Sequence, residues 1–133
     1  MTNASATVDR LLHTSGPQLD DLFRRSPSDR IPAGSGDGTV IFAPNSPLAT
    51  ITARLVRLLA WKGKTFDSGT GSLQNRMGPL GTPAIPAKVY RATSWLDAKP
   101  AVILDYSGSA LVARRIREEI REAAPGVFLG IVY

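Results

Sequence analysis

The chain contains no cysteine, so no disulfide, zinc–thiolate centre or iron–sulfur cluster can hold it together. Whatever it folds into must be stabilised by a buried apolar core alone. At 133 residues, with 43% hydrophobic and 20% charged side chains, it is long enough for one such core and too apolar to remain disordered. The same count removes a thiol nucleophile. The single histidine, His13, removes multi-histidine metal sites and leaves any Ser/His/Asp triad dependent on one residue near the N-terminus. Neither a metal nor a cofactor is expected.

Sixteen Lys and Arg against eleven Asp and Glu give a net charge of +5, which favours anionic partners by long-range attraction. The arginines form no uninterrupted tract, and Arg114, Arg115, Arg117 and Arg121 are interleaved with Glu118, Glu119 and Glu122. Solvated faces account for that pattern, and nucleic-acid binding is not favoured. The N-terminal segment carries Asp9, Asp20 and Asp21 and no apolar run of signal-peptide length, and no stretch approaches the roughly 18 apolar residues of a membrane span. A cytoplasmic protein without membrane association is the expectation.

Residues 1–6 read as a disordered tail ahead of an α+β domain over 7–133. Val8, Leu11 and Leu12 indicate a short helix ending near Ser15-Gly16, and Pro17 suits the first turn of a second, with Leu19, Leu22 and Phe23 on one face. Five Pro and Gly residues between Ser26 and Gly38 read as a loop. Thr39–Ala43 has strand composition. Ser46 as N-cap, Pro47, and Leu48, Ile51, Leu55, Leu58 and Leu59 predict a helix over 46–60. Trp61–Phe66 and Leu73–Met77 flank a glycine turn and read as two strands, while the three prolines of Gly78–Pro86 read as a rigid loop. Ala87–Leu96 and Ala101–Tyr106 flank Asp97-Ala98-Lys99-Pro100 as an antiparallel hairpin. Val112, Ile116, Ile120 and Ala123 recur at helical spacing, with Arg114–Glu118 and Arg115–Glu119 as i, i+4 pairs, and predict a helix over 109–124. Val127–Tyr133, apolar on both faces, reads as an interior strand. Together these give a curved antiparallel sheet or partial β-barrel of about six strands, covered by the helices 46–60 and 109–124.

Two glycine motifs carry no nucleotide chemistry. Gly63-Lys64-Thr65 ends like a phosphate-binding loop, but Leu58 stands where the first glycine is needed. Gly34-Ser35-Gly36-Asp37-Gly38 precedes a strand and opens no helix. The segment Trp61–Phe66 is more distinctive. Alternation sets Trp61, Gly63 and Thr65 on one face and Lys62, Lys64 and Phe66 on the other, and a glycine between large residues lets a ligand or another backbone approach. Asp105 shares a face with Ala101 and Ile103, so a carboxylate lies on a strand apolar on both sides. Such a group is either paired or raised in pKa, and a raised carboxyl serves as a general acid or base. Tyr90 and Trp95 alternate to opposite faces, so one of the two is expected beside Asp105.

Asp21-Leu22-Phe23-Arg24 ahead of a glycine-bearing strand, Ser46-Pro47-Leu48 and Trp61-Lys62-Gly63-Lys64-Thr65-Phe66 resemble, over residues 19–67, bacterial small β-barrel proteins of the lipocalin-like type. Those proteins carry a GXWXG element followed by a tryptophan-rich strand; Gly36-Asp37-Gly38-Thr39-Val40 has no tryptophan at the matching place. The resemblance implies a small-molecule site inside a curved sheet, and strands beyond Tyr133.

The leading expectation is therefore a binder of a small apolar molecule with an anionic group. Trp61, Trp95 and Tyr106 would form the wall, Lys64 or Arg76 the counter-charge and Asp105 a polar anchor. Two alternatives stand beside it, one using the same cavity and one the terminal strand Val127–Tyr133. Asp105 could act as acid or base in a cofactor-free isomerisation, cyclisation or hydration, or the terminal strand could pair with a second copy of the chain.

Overall fold

Period-two alternation dominates the chain and becomes strands wherever the structure is described. The computed structural model describes residues 3–38, 61–77, 80–109 and 113–133. Two helices come first, α1 (Asn3–Leu12) and α2 (Gly16–Arg25). Ser15 caps α2, its hydroxyl accepting from the Gln18 amide at 3.4 Å. α1 takes in residues 3–6 of the segment read as a tail. Strands β1 (Gly34–Asp37), β2 (Trp61–Asp67), β3 (Ser72–Met77), β4 (Thr82–Thr93), β5 (Pro100–Asp105), β6 (Arg117–Ala124) and β7 (Val127–Val132) follow. They form one sheet in sequential order, each neighbour antiparallel. The predicted strand Thr39–Ala43 and helix 46–60 lie outside the described residues.

Lys64 shows that the sheet curls. Its side chain on β2 reaches the Tyr106 hydroxyl just beyond β5 at 2.7 Å and Glu118 on β6 at 3.3 Å. In a flat sheet four strand spacings would hold β2 and β6 roughly 19 Å apart. The sheet is thus a half-barrel, compatible with a lipocalin-like small barrel, and the face carrying Lys64 is concave. Leu73, Ala87, Val89, Val102, Leu104, Tyr106 and Ile120 form the concave core. On the convex face α1 lies against β7 and α2 against β6, burying Phe23, Ala101, Ile103 and Leu129.

Several expectations are corrected. Residues 117–124 form β6 and not a helix, preceded by a 3₁₀ turn at Ala113–Arg115. Arg-Glu-Glu-Ile-Arg-Glu-Ala-Ala favours helix locally, but tertiary partners override that preference. As a strand, the segment turns Glu119 and Arg121 to the convex face, where both are buried beside dedicated partners. Charged residues at buried strand positions disguised the alternation. The glycine-rich stretch read as a loop contains β1, whose Gly36 and Asp37 pair with Lys64 and Gly63. The rigid loop ends sooner than expected, because β4 begins at Thr82. Pro83 and Pro86 are tolerated there since β5 pairs β4 only from Lys88 onward. Among the described residues the count is seven strands, against about six expected. Finally, among the described residues β7 pairs with β6 alone and stands at the edge of the sheet, where an interior strand was expected.

Candidate functional site

The structure places Lys64 and Tyr106 on one face of the sheet and Asp105 and Trp95 on the other, while the Trp61 side chain lies outside the described residues. On the concave face, Lys64 Nζ donates to Asn75 Oδ1 at 2.9 Å and to the Tyr106 hydroxyl at 2.7 Å. Asn75 Nδ2 donates to the Ile85 carbonyl at 2.7 Å and to Tyr106 at 3.1 Å. Burial pulls the Lys64 ammonium down, but the Glu118 carboxylate and the Tyr106 hydroxyl outweigh it and hold the pKa above its ordinary value. Lys64 and Tyr106 are therefore together, as expected, yet the lysine charge is matched by Glu118 within the protein. Arg76 is committed likewise, donating to the Gly36 carbonyl at 2.7 Å and to Asp37 at 3.0 Å, which ties β3 to β1. The Trp61 backbone pairs with Met77 at a bulge in β2. A cavity of this face, against Ile31, Phe66 and Val89, is about 80 Å³, smaller than the ~150 Å³ that holds a benzene ring.

Asp105 and Trp95 face the other way. They line an open convex groove of about 250 Å³ together with Tyr90, Ile103, Arg114 and Arg115, closed off by Ile116 and Arg117. Trp95 is 64% exposed and Tyr90 39%. Both aromatic rings flank Asp105, because β4 ends at Thr93 and Trp95 belongs to the following turn, where alternation no longer applies. Trp95 is fixed on several sides. The Arg117 guanidinium lies 4.2 Å over its ring and Tyr133 meets it edge-on at 5.0 Å. Its amide donates to the fully buried Glu119 at 2.8 Å, and Arg117 donates to the same carboxylate at 3.1 Å.

Asp105 is an acceptor in this setting. The Ser107 amide donates to Oδ1 at 2.9 Å and the Tyr90 hydroxyl to Oδ2 at 2.8 Å. The Ser107 hydrogen bonds, ahead of the Tyr90 bond and the nearby Lys88 charge, hold its carboxyl below the ordinary value although burial opposes them. That is the opposite of the direction a neutral-pH acid requires. The Tyr90 phenol is correspondingly pushed up, chiefly by its bond to Asp105.

Sequence reasoning allowed only one of Tyr90 and Trp95 beside Asp105 and missed Arg114, Arg115 and Arg117 as groove residues. A helix over 109–124 would scatter Arg114, Arg115 and Arg117 around its circumference, whereas the 3₁₀ turn leading into β6 gathers them beside Trp95. The usable signal was the arginine density itself. Arg114 and Arg115 are exposed and make no hydrogen bond or ion pair with a described residue. Among the described residues, no cluster of three His, Asp or Glu side chains is placed to hold a metal ion, and no helix is long and apolar enough to cross a membrane. No protein-family model matches the chain, and no match is found among curated proteins or solved structures.

Proposed function

We propose that the protein binds a small molecule that joins an apolar ring system to an anionic group, in the convex groove between Tyr90, Trp95 and the Arg114–Arg117 segment. One observation carries this reading: two exposed aromatic rings share a 250 Å³ groove with two arginines that have no partner among the described residues. Ligand sites are typically mostly apolar with a few fixed polar groups, and an aromatic wall held by Arg117 and Glu119 is preorganised in that way. Lys64 and Arg76, matched by Glu118 and Asp37, give up the counter-charge role to Arg114 and Arg115. Asp105 accepts hydrogen bonds and does not exchange protons near neutrality.

The test is titration with 8-anilinonaphthalene-1-sulfonate, an apolar ring system with one sulfonate, followed by its fluorescence. Replacing both Arg114 and Arg115 by Ala should weaken binding about tenfold or more, the scale of one or two charge-assisted contacts. Equal binding to the variant overturns the reading.

The position of β7 favours a second reading, pairing between two copies. Arg117 and Tyr133 exchange both backbone hydrogen bonds, so alternation turns the amides and carbonyls of Phe128, Gly130 and Val132 to the edge away from β6. The strand has no charge and no proline, the features that usually block edge pairing. Val132→Pro removes an outward amide while sparing the β6 ladder. A dimer that survives that change in sedimentation analysis excludes pairing through β7.

A further inference from the structure

The charges that line the convex groove do not all find partners, and the excess has a definite size. Asp105 is engaged by the Ser107 amide and side chain and by the Tyr90 hydroxyl, and Lys88 stands opposite it in the β4–β5 ladder. Arg117 is matched by the fully buried Glu119 at 3.1 Å and lies over the Trp95 ring. Arg114 and Arg115 are left. Both line the groove, both are exposed, and neither has an ion-pair partner among the described residues. A monoanion answers one of these two charges. A phosphate monoester gathers about −1.5 to −2 on one centre at pH 7, and its three terminal oxygens accept from two guanidinium groups at once, whereas a single carboxylate is used up by one.

The remaining walls decide what the phosphate is attached to. Trp95 and Tyr90 expose their rings, surfaces that favour a flat π system, and Ile103 and Ile116 complete an apolar lining. At about 250 Å³ the groove exceeds the ~150 Å³ that holds a benzene ring, which leaves room for a tetrahedral group beside one ring system. Resting on the reading above, we infer that the groove binds an aromatic phosphate monoester, with its ring on Trp95 and Tyr90 and its phosphate between Arg114 and Arg115. Asp105 sets the orientation. Its charge repels the phosphate toward the arginine end, while the electropositive edge of an aromatic ring is tolerated beside a carboxylate. Trp95 is held in place for this by Glu119, which accepts from its amide at 2.8 Å, and by the Arg117 guanidinium over its ring.

The experiment is calorimetric titration of the full chain with 1-naphthyl phosphate and naphthalene-1-sulfonate, which share a ring and differ in the anion. At about pH 7.5 the phosphate should bind more tightly by about tenfold or more, the value of one further charge-assisted contact. Between about pH 7.5 and about pH 5 the phosphate loses its second charge, so its advantage should shrink several-fold while the sulfonate changes little. No group lining the groove imitates that profile. The Asp105 carboxyl is held below its ordinary value and the Tyr90 phenol above its own, a guanidinium does not deprotonate, and the only histidine, His13, belongs to α1 and lies outside the groove lining. Arg114→Ala and Arg115→Ala, made singly, should each lower the phosphate-over-sulfonate ratio several-fold. Glycerol 2-phosphate, equally charged and without a ring, should bind about tenfold more weakly or worse; equal binding would show charge attraction alone and overturn the assignment. Equal or tighter binding of naphthalene-2,3-dicarboxylate would give the two arginines to two carboxylates and overturn it as well. The ligand and pH comparisons use the unaltered chain, so they decide the matter even if a variant fails to fold. If both naphthyl compounds bind through Arg114 and Arg115 but the phosphate has no advantage, or one that ignores pH, the phosphate assignment is wrong and the apolar-anion reading stands. Binding of both that survives loss of both arginines, or no binding of either, removes both readings. A phosphotyrosyl peptide that binds many-fold more tightly than phenyl phosphate would place the ring on a polypeptide and overturn the small-molecule assignment.

Discussion

Glu118 Oε2 sits 3.3 Å from Lys64 Nζ, and this ion pair ties β6 to β2 across the concave face of the half-barrel. Both side chains are about 85% shielded, at 14% and 15% exposure, so solvent screens the pair weakly. Removing one partner leaves the other charge buried, and Lys64→Met should cost roughly 3 kcal/mol in urea unfolding. Adding Glu118→Leu should restore most of that loss, because two apolar groups replace the pair. The pH dependence has a definite sign. The folded pKa of Lys64 lies above its ordinary 10.5, so its contribution is full below 10.5 and is lost as pH rises through the folded value. The gap between wild type and Lys64→Met should therefore narrow in strongly alkaline solution and hold constant between pH 6 and about 9.

Arg121 and Asp97 set the acid limit. Arg121, 2% exposed, donates to both Asp97 oxygens at 2.7 and 2.9 Å and to the Phe23 and Pro100 carbonyls at 3.0 Å each. Its guanidinium also lies 4.5 Å over the Phe23 ring, so α2, β6 and the β4–β5 turn meet at one side chain. The Arg121 hydrogen bonds hold the Asp97 carboxyl well below the usual carboxylate range. A depressed group adds stability that is present above its unfolded pKa, about 3.9, and is lost as pH falls. Asp97→Asn should destabilise the protein by about 1–3 kcal/mol at pH 7. The difference should shrink steadily below about pH 4, read as converging thermal midpoints. A difference independent of pH would mean that Asp97 acts through shape alone.

The hairpin Ala87–Tyr106 and the β2–β3 pair were legible because their apolar positions alternate and their turns carry Gly, Asp and Pro. The side chains of β6 were not. Glu119 and Arg121 occupy core-facing positions, and what makes them acceptable there is Ser94, Trp95 and Asp97, 24 or 25 residues away in the chain. No local rule anticipates such pairing. The misread strand also displaced the site: with 109–124 as a helix, Arg114 and Arg115 belonged to a solvated face, and Lys64 was the nearest cation to offer. Asp105 was placed correctly on the face of Ala101 and Ile103. Of the two expectations for it, paired or raised in pKa, the structure shows the paired one, because the Ser107 amide, supplied by the chain reversal after β5, lies close enough to bond it.

Asp105 and Tyr90 supply a sharper check on the groove. Tyr90→Phe removes one of the bonds to the carboxylate, so the Asp105 pKa should rise. It should remain below its ordinary value, because Ser107 is the larger cause. A ¹³C-detected carboxyl titration of the two proteins measures both statements. If the Tyr90→Phe carboxyl reaches or passes its ordinary value, burial outweighs Ser107 and Asp105 becomes a candidate acid after all.

Gly63 answers what its position in the Trp61–Phe66 strand is for. Its φ is +140°, in the region that favours glycine, and a Cβ there would lie 2.1 Å from the Gly36 carbonyl oxygen and 2.9 Å from the Gly38 amide nitrogen. The close approach permitted by the missing side chain is thus that of another backbone, β1, and not of a ligand. Gly63→Ala adds strain from φ and a clash with backbone that cannot turn aside, and should cost about 2–4 kcal/mol. The loss should be local, since among the described residues β1 pairs only with β2 while the concave core lies between β3 and β6. Amide exchange at Gly34–Asp37 and at Gly63–Phe66 should accelerate by orders of magnitude, with Val102–Leu104 nearly unchanged. Uniform acceleration through β5 would instead show that β1 is part of the cooperative core, and that Gly36 and Gly63 fix the curl of the whole sheet by their contact.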